Sequence, residues 1–171
     1  MRPVLFTLLA FFFAGCASPA APTKLIFSGA FELSVPSTML EGAVLLSIDG
    51  LTLRTNDGDT LTGTIITHAS ESLPESLNLR VYPELVLTAD SEAQLDHPTQ
   101  ELLDGIRAEI DFSYGLAGLV VYESNDSKIY RLCKLKRCLG YATKAEVSDH
   151  LLMIHTDGLE AEEFDELLRE L

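Results

Sequence analysis

Basic residues are scarce in this chain of 171 residues: Lys and Arg number 12 against 26 Asp and Glu, for a formal net charge of −14. Binding of nucleic acid rests on neutralising phosphates with such residues, so no nucleic acid is expected as a partner. Long apolar runs are scarce too. The most pronounced, Val4 to Ala14, has eleven residues, too few to cross a hydrocarbon core about 30 Å thick as a helix. Cysteines number three, at positions 16, 133 and 138, which excludes a disulfide-dense scaffold. No nucleophile elbow, zinc-protease helix, phosphate loop or dinucleotide fingerprint occurs. The four histidines stand apart at 68, 97, 150 and 155. In one strand His155 and Asp157 would share a face and His150 the other, and two ligands do not make a metal site. Asn56-Asp57-Gly58-Asp59 lacks the spaced ligand series of a calcium loop and reads as a turn. No metal or cofactor is expected.

At the N-terminus, Arg2 supplies a positive charge ahead of the apolar run, the pattern of a secretory leader. Phe13-Ala14-Gly15-Cys16 then ends it with one apolar residue, two small ones and a cysteine. This resembles the lipobox of bacterial lipoproteins, with Phe13 where Leu is usual, and the resemblance covers the first sixteen residues. It implies cleavage before Cys16, acylation of that cysteine and a stable membrane anchor. Ala17 is not the Asp that marks inner-membrane retention in enterobacterial lipoproteins. The resemblance therefore implies an outer-membrane protein whose domain faces the periplasm. The competing reading is an ordinary secretory peptide cut near residues 18–20, with Cys16 discarded. Residues 17–23 are small and Pro-rich, a tether that reaches at most roughly 25 Å. The expected organisation is a leader over 1–15, a lipidated tether over 16–24 and one domain over 25–171.

Within that domain, period-two stretches at Leu25–Phe27 and Phe31–Val35 predict a strand or a broken pair. Residues 43–48, 51–55 and 60–67 predict a β-meander, with Asp49-Gly50 and Asp57-Gly58 as its turns. Pro74 and Pro83 break up residues 70–90, which read as loop with at most a short strand at Leu85-Val86-Leu87. Leu95, Leu102, Leu103, Ile106 and Ile110 recur at helical spacing and predict a helix from about Pro98 to Asp111. A second meander is expected from 116–124, 128–133, 139–147 and 150–156. Asp157 with Glu160 predicts the cap of a last helix whose apolar stripe is Leu159, Phe164, Leu167, Leu168 and Leu171. The fold class is thus α+β: an antiparallel sheet from two β-meanders, with a middle helix and a C-terminal helix packed on it. In element order alone this is similar to a PsbP/Mog1-type sandwich.

Two features carry candidate chemistry. Cys133 and Cys138 bracket Lys-Leu-Lys-Arg at a predicted hairpin, and with Cys16 lipidated they have only each other to pair with. A structural disulfide is expected; their spacing is not the two-residue one of redox-active pairs. Between Lys128 and Lys144 stand six basic residues and no acid, so Lys134, Lys136 and Arg137 form a basic tip on an acidic body. That tip suits anionic headgroups, a phosphate-bearing polymer or an acidic protein surface; the plainer reading is a solvated hairpin balanced by the acidic C-terminal helix. Together these imply a membrane-anchored, non-catalytic binding or adaptor module of the cell envelope. The alternatives are a periplasmic inhibitor or immunity protein against a basic hydrolase, and a small envelope hydrolase. The last needs a pocket gathering His155, Asp157 and another titratable group.

Overall fold

A computed structural model describes residues 21–47, 50–88 and 95–171. The leader, Cys16, most of the tether and Asp49 lie outside the described residues. Strands β1 (Thr23–Phe27) and β2 (Phe31–Val35) form an antiparallel hairpin that starts two residues before the expected domain boundary. A short helix, α1 (Ser37–Leu40), leads to the first meander, β3 (Val44–Ser47), β4 (Leu51–Arg54) and β5 (Thr60–Thr67). Helices α2 (Tyr82–Leu87) and α3 (His97–Tyr114) form the middle. The second meander is β6 (Val120–Ser124), β7 (Ser127–Lys134), β8 (Arg137–Lys144) and β9 (His150–Asp157), and α4 (Ala161–Leu168) follows.

The fold is α+β. The two meanders merge into one seven-stranded antiparallel sheet of order β3-β4-β5-β9-β8-β7-β6, joined where β5 pairs with β9 from Thr60 opposite Asp157 to Thr67 opposite His150. Strands buried on both faces carry nearly continuous apolar sequence instead of alternation. That is the character of Leu139–Ala142 in β8 and Leu151–Ile154 in β9, and both strands lie at the centre. One face buries Ile129, Ala142, Leu152 and Ile154 against the β1–β2 hairpin and the stripe of α4. The other buries Tyr130, Leu132, Leu139, Tyr141 and Leu151 against α2 and α3. Two glycines allow close approach on the first face: Gly63 lies under the Phe27 ring, and Gly140 under Phe164 and Leu168.

Four expectations need correction. Residues 82–87 are a helix, not loop or strand: Pro83 occupies its first turn, where a missing N–H is harmless, and every residue except Glu84 is buried. The last helix is capped by Glu160 in a reciprocal box with Glu163, while Asp157 ends β9; the positive-φ turn at Gly158 separates the two. Residues Leu116–Gly118 are a 3₁₀ turn, so β6 begins only at Val120. The middle helix also extends past its expected ends, because the Asp96 carboxylate accepts from the Thr99 N–H at 2.9 Å and starts it one residue before Pro98.

Two arginines fasten the covering helices. Arg107 of α3 donates to the carbonyls of Leu85, Val86 and Thr88, which the end of α2 leaves without intrahelical partners. Arg131 of β7 grips Asp165 of α4 with both forks at 3.0 Å, a planar bidentate match that Lys cannot reproduce.

A Cβ added at Gly63 would collide with the Phe27 ring. Gly63→Ala should therefore destabilise the domain by about 1–3 kcal/mol. Combining it with Phe27→Leu should cost less than the two single changes summed, read from denaturant midpoints in a double-mutant cycle.

Candidate functional site

The β7–β8 turn is built by register. Cys133 faces Cys138 and Lys134 faces Arg137, which leaves Leu135 and Lys136 to turn the chain. Leu135 does so at φ 58°, a conformation a non-glycine residue adopts only when its surroundings enforce it. The Cys133–Cys138 disulfide is that enforcement, and it spans the two strand ends directly behind the turn.

Each basic residue of the tip has a partner. Lys134 Nζ donates to the carbonyl of Phe112 at 2.9 Å, in the last turn of α3, where a cation complements the helix dipole. Lys136 Nζ lies 3.1 Å from Glu160, and Arg137 Nε 3.3 Å from Asp157. The hydrogen bond and charge of Glu160 hold the Lys136 ammonium above its ordinary pKa. These pairs are exposed and add little stability, but they spend the charge locally. What the tip presents without compensation is apolar: Leu135 is 88% exposed and Phe112, brought alongside by Lys134, is 83% exposed.

The incoming chain lies along α4, on the other face of the sheet. Pro22 shares a cavity with Leu159, Glu163 and Leu167, and the N–H of Gly158, next to Leu159, donates to the Lys136 carbonyl at 2.8 Å. The β1–β2 turn lies at the far end, where Ser28 Oγ meets His150 Nε2 at 2.8 Å.

Histidine 155 sits on the opposite sheet face. It lines a cavity of about 280 Å³ between α3 and the sheet, together with Glu71, Tyr82, Glu109, Ser113, Tyr114 and Tyr141. Asp157 is not among the lining residues and is held by Arg137. Burial pushes the His155 pKa down; the Asp157 carboxylate opposes that and the Arg137 guanidinium adds to it. Tyr82 Oη donates to Glu71 at 3.4 Å, and burial is the main cause that raises the Tyr82, Tyr114 and Tyr141 hydroxyls. Among the described residues His155 and Ser113 both line the cavity and share no hydrogen bond.

A larger groove of about 510 Å³ runs between α2 and the far end of the sheet. Several of its charges are paired internally: Glu84 accepts from Lys128 at 2.6 Å and from the Tyr130 hydroxyl at 2.8 Å, and Lys144 pairs with Asp126 at 2.8 Å; Arg80 and Glu123 line it as well. Among the described residues no three His, Cys, Asp or Glu side chains converge as metal ligands, and no helix is long and apolar enough to cross a membrane.

The structure thus brings Lys134, Lys136 and Arg137 together at one tip and pairs Cys133 with Cys138; Cys16 lies outside the described residues. Sequence reasoning missed the cavity. Its one legible signal was the spacing of Ile106, Glu109, Ile110, Ser113 and Tyr114, one helical face that carries an acid beside the core stripe. Comparison with protein-family models, curated proteins and solved structures yields no match.

Two measurements follow from this geometry. Replacing both Cys133 and Cys138 by Ser should lower stability by about 2 kcal/mol in chemical denaturation without changing the fold, as expected for closing a short loop. His155, with its pKa below the ordinary 6.5, binds fewer protons folded than unfolded. Its contribution is therefore intact above that pH and is lost as pH falls through the window just beneath it. The melting temperature of His155→Gln should accordingly fall less than that of the wild type between neutral pH and pH values below 6.5.

Proposed function

We propose that the protein is a lipid-anchored binding module of the bacterial cell envelope, tethered by acylated Cys16 to the outer membrane and seated with its β7–β8 tip against the lipid. The observation that carries this reading is the pair of exposed apolar side chains, Phe112 and Leu135, at the β7–β8 tip. A tether of a few small residues holds whichever end it enters within roughly 25 Å of the anchor. Aromatic and aliphatic side chains at the tip gain by entering the headgroup–acyl boundary.

The basic residues play a subsidiary part. Lys136 and Arg137 already face Glu160 and Asp157, so the contact runs on apolar insertion, with Lys134 at the level of the headgroups. Weak dependence on salt follows, because screening acts on exposed charges and not on buried apolar area. Seated this way, the acidic bulk of the domain points into the periplasm and leaves the His155 cavity facing sideways, open to solutes.

The chain has no tryptophan, which makes single-tryptophan reporters clean. The full chain, expressed with its leader, should be reconstituted in phosphatidylethanolamine–phosphatidylglycerol vesicles with brominated acyl chains. Phe112→Trp and Leu135→Trp should show blue-shifted emission and strong quenching, and Ala145→Trp, in the β8–β9 connection at the other end, neither. Equal, unquenched emission from all three would rule out the end-on seating.

A further inference from the structure

We propose that the cavity between α3 and the sheet is a binding site for a small organic cation, an alkylammonium or a close relative. This inference does not depend on the lipid anchor. It starts from an imbalance of charge: the cavity is lined by two carboxylates, Glu71 and Glu109, and by no Lys or Arg. The cation whose field reaches it, Arg137, acts on Tyr114 and His155 from outside the lining and is engaged by Asp157. Two carboxylates at the rim of one cavity with no cation between them favour a positively charged ligand, and an ammonium gives them the strongest hydrogen bonds.

The polar groups inside are also unspent. Tyr141 is only 3% exposed and lines the cavity, yet its hydroxyl has no hydrogen-bond partner among the described residues. The hydroxyl opens on the cavity, where it is available to a ligand that enters. The His155 imidazole and the Tyr114 hydroxyl are likewise without partners there. Tyr82 gives Glu71 its single long hydrogen bond, 3.4 Å, which leaves most of the carboxylate's acceptor capacity open.

The walls suit the rest of such a ligand. Tyr82 and Tyr141 stand edge to face with centroids 6.0 Å apart and both line the cavity, which gives it an aromatic wall. Ile106 and Met153 line the cavity next to these groups and offer an apolar surface to an alkyl chain. At about 280 Å³ the space suits a small amine better than a sugar chain or a peptide. An anion would meet Glu71 and Glu109 unshielded, and a metal ion would lack its ligand set.

The test uses n-pentylammonium against 1-pentanol, which has the same chain without the charge. Tyrosine is the reporter, because the chain has five tyrosines and no tryptophan, and three of them line the cavity. Titrating the purified full-length protein with n-pentylammonium should change tyrosine emission saturably. The affinity for 1-pentanol should be at least about tenfold lower, the factor that a single charged hydrogen bond readily supplies. Glu109→Gln lies on the exposed side of α3 and leaves the core untouched; it and Glu71→Gln should each abolish the preference for the ammonium, whereas Glu123→Gln, outside the cavity, should not. Equal binding of the two probes, no saturable change with the ammonium, or the same loss from Glu123→Gln would overturn the assignment.

Discussion

Burial of β8 and β9 on both faces is the constraint on which the rest of this structure depends. A strand such as Leu139-Gly140-Tyr141-Ala142 presents apolar atoms to both sides of the sheet, so neither side can be left to water. The domain meets that demand with two unlike covers. On one face the β1–β2 hairpin and α4 supply Phe31, Leu33, Val35, Phe164 and Leu168, all nearly inaccessible; on the other α2 and α3 supply Tyr82, Leu85, Val86 and Leu103. The ligand cavity is a consequence of the second cover. Helix α3 contributes only Thr99, Leu103 and Ile110 as fully buried residues, and the cavity lies between its second half and the sheet, lined by Glu109, Tyr114, Tyr141 and His155 among others.

Charge is distributed around this frame with the same division. Where arginines fasten a cover, they sit half-buried on carbonyls or on a bidentate carboxylate, as Arg107 and Arg131 do. Where basic residues gather at the sheet's end, they are answered by Glu160, Asp157 and the carbonyl of Phe112. The surplus of acid over base is left to the outer surface and to the mouth of the cavity. The domain therefore has an apolar tip whose basic residues are paired, and an acidic body beyond it.

Much of the sheet was legible in the sequence, and for a physical reason. Asn56–Asp59 and Asn125-Asp126 are residues that tolerate positive φ, so they marked the β4–β5 and β6–β7 turns directly, and the β-branched runs between them fixed the strands. The disulfide followed from compartment and arithmetic. Helix α2 was not legible, because Pro83 among Tyr82, Leu85, Val86 and Leu87 looks alike whether it starts a buried helix or interrupts a strand; only the tertiary cover decides. The cap of α4 was misplaced by one turn, since Asp157 and Glu160 have the same capping chemistry and the strand pairing of Asp157 with Thr60 and Arg137 settles which is used. The cavity joins Glu71, Tyr82, Glu109, Tyr141 and His155 from four separate segments, and no local pattern encodes such a meeting.

In the proposed function an acylated Cys16 sets the address and the orientation of the domain, while the cavity and its ligand are independent of it. Intact-mass measurement with membrane fractionation, on the full chain expressed with its leader in a Gram-negative host beside Cys16→Ser, tests this most directly. The account predicts lipid mass on the mature protein in the outer-membrane fraction and its loss in the variant. A soluble periplasmic product without lipid would contradict it.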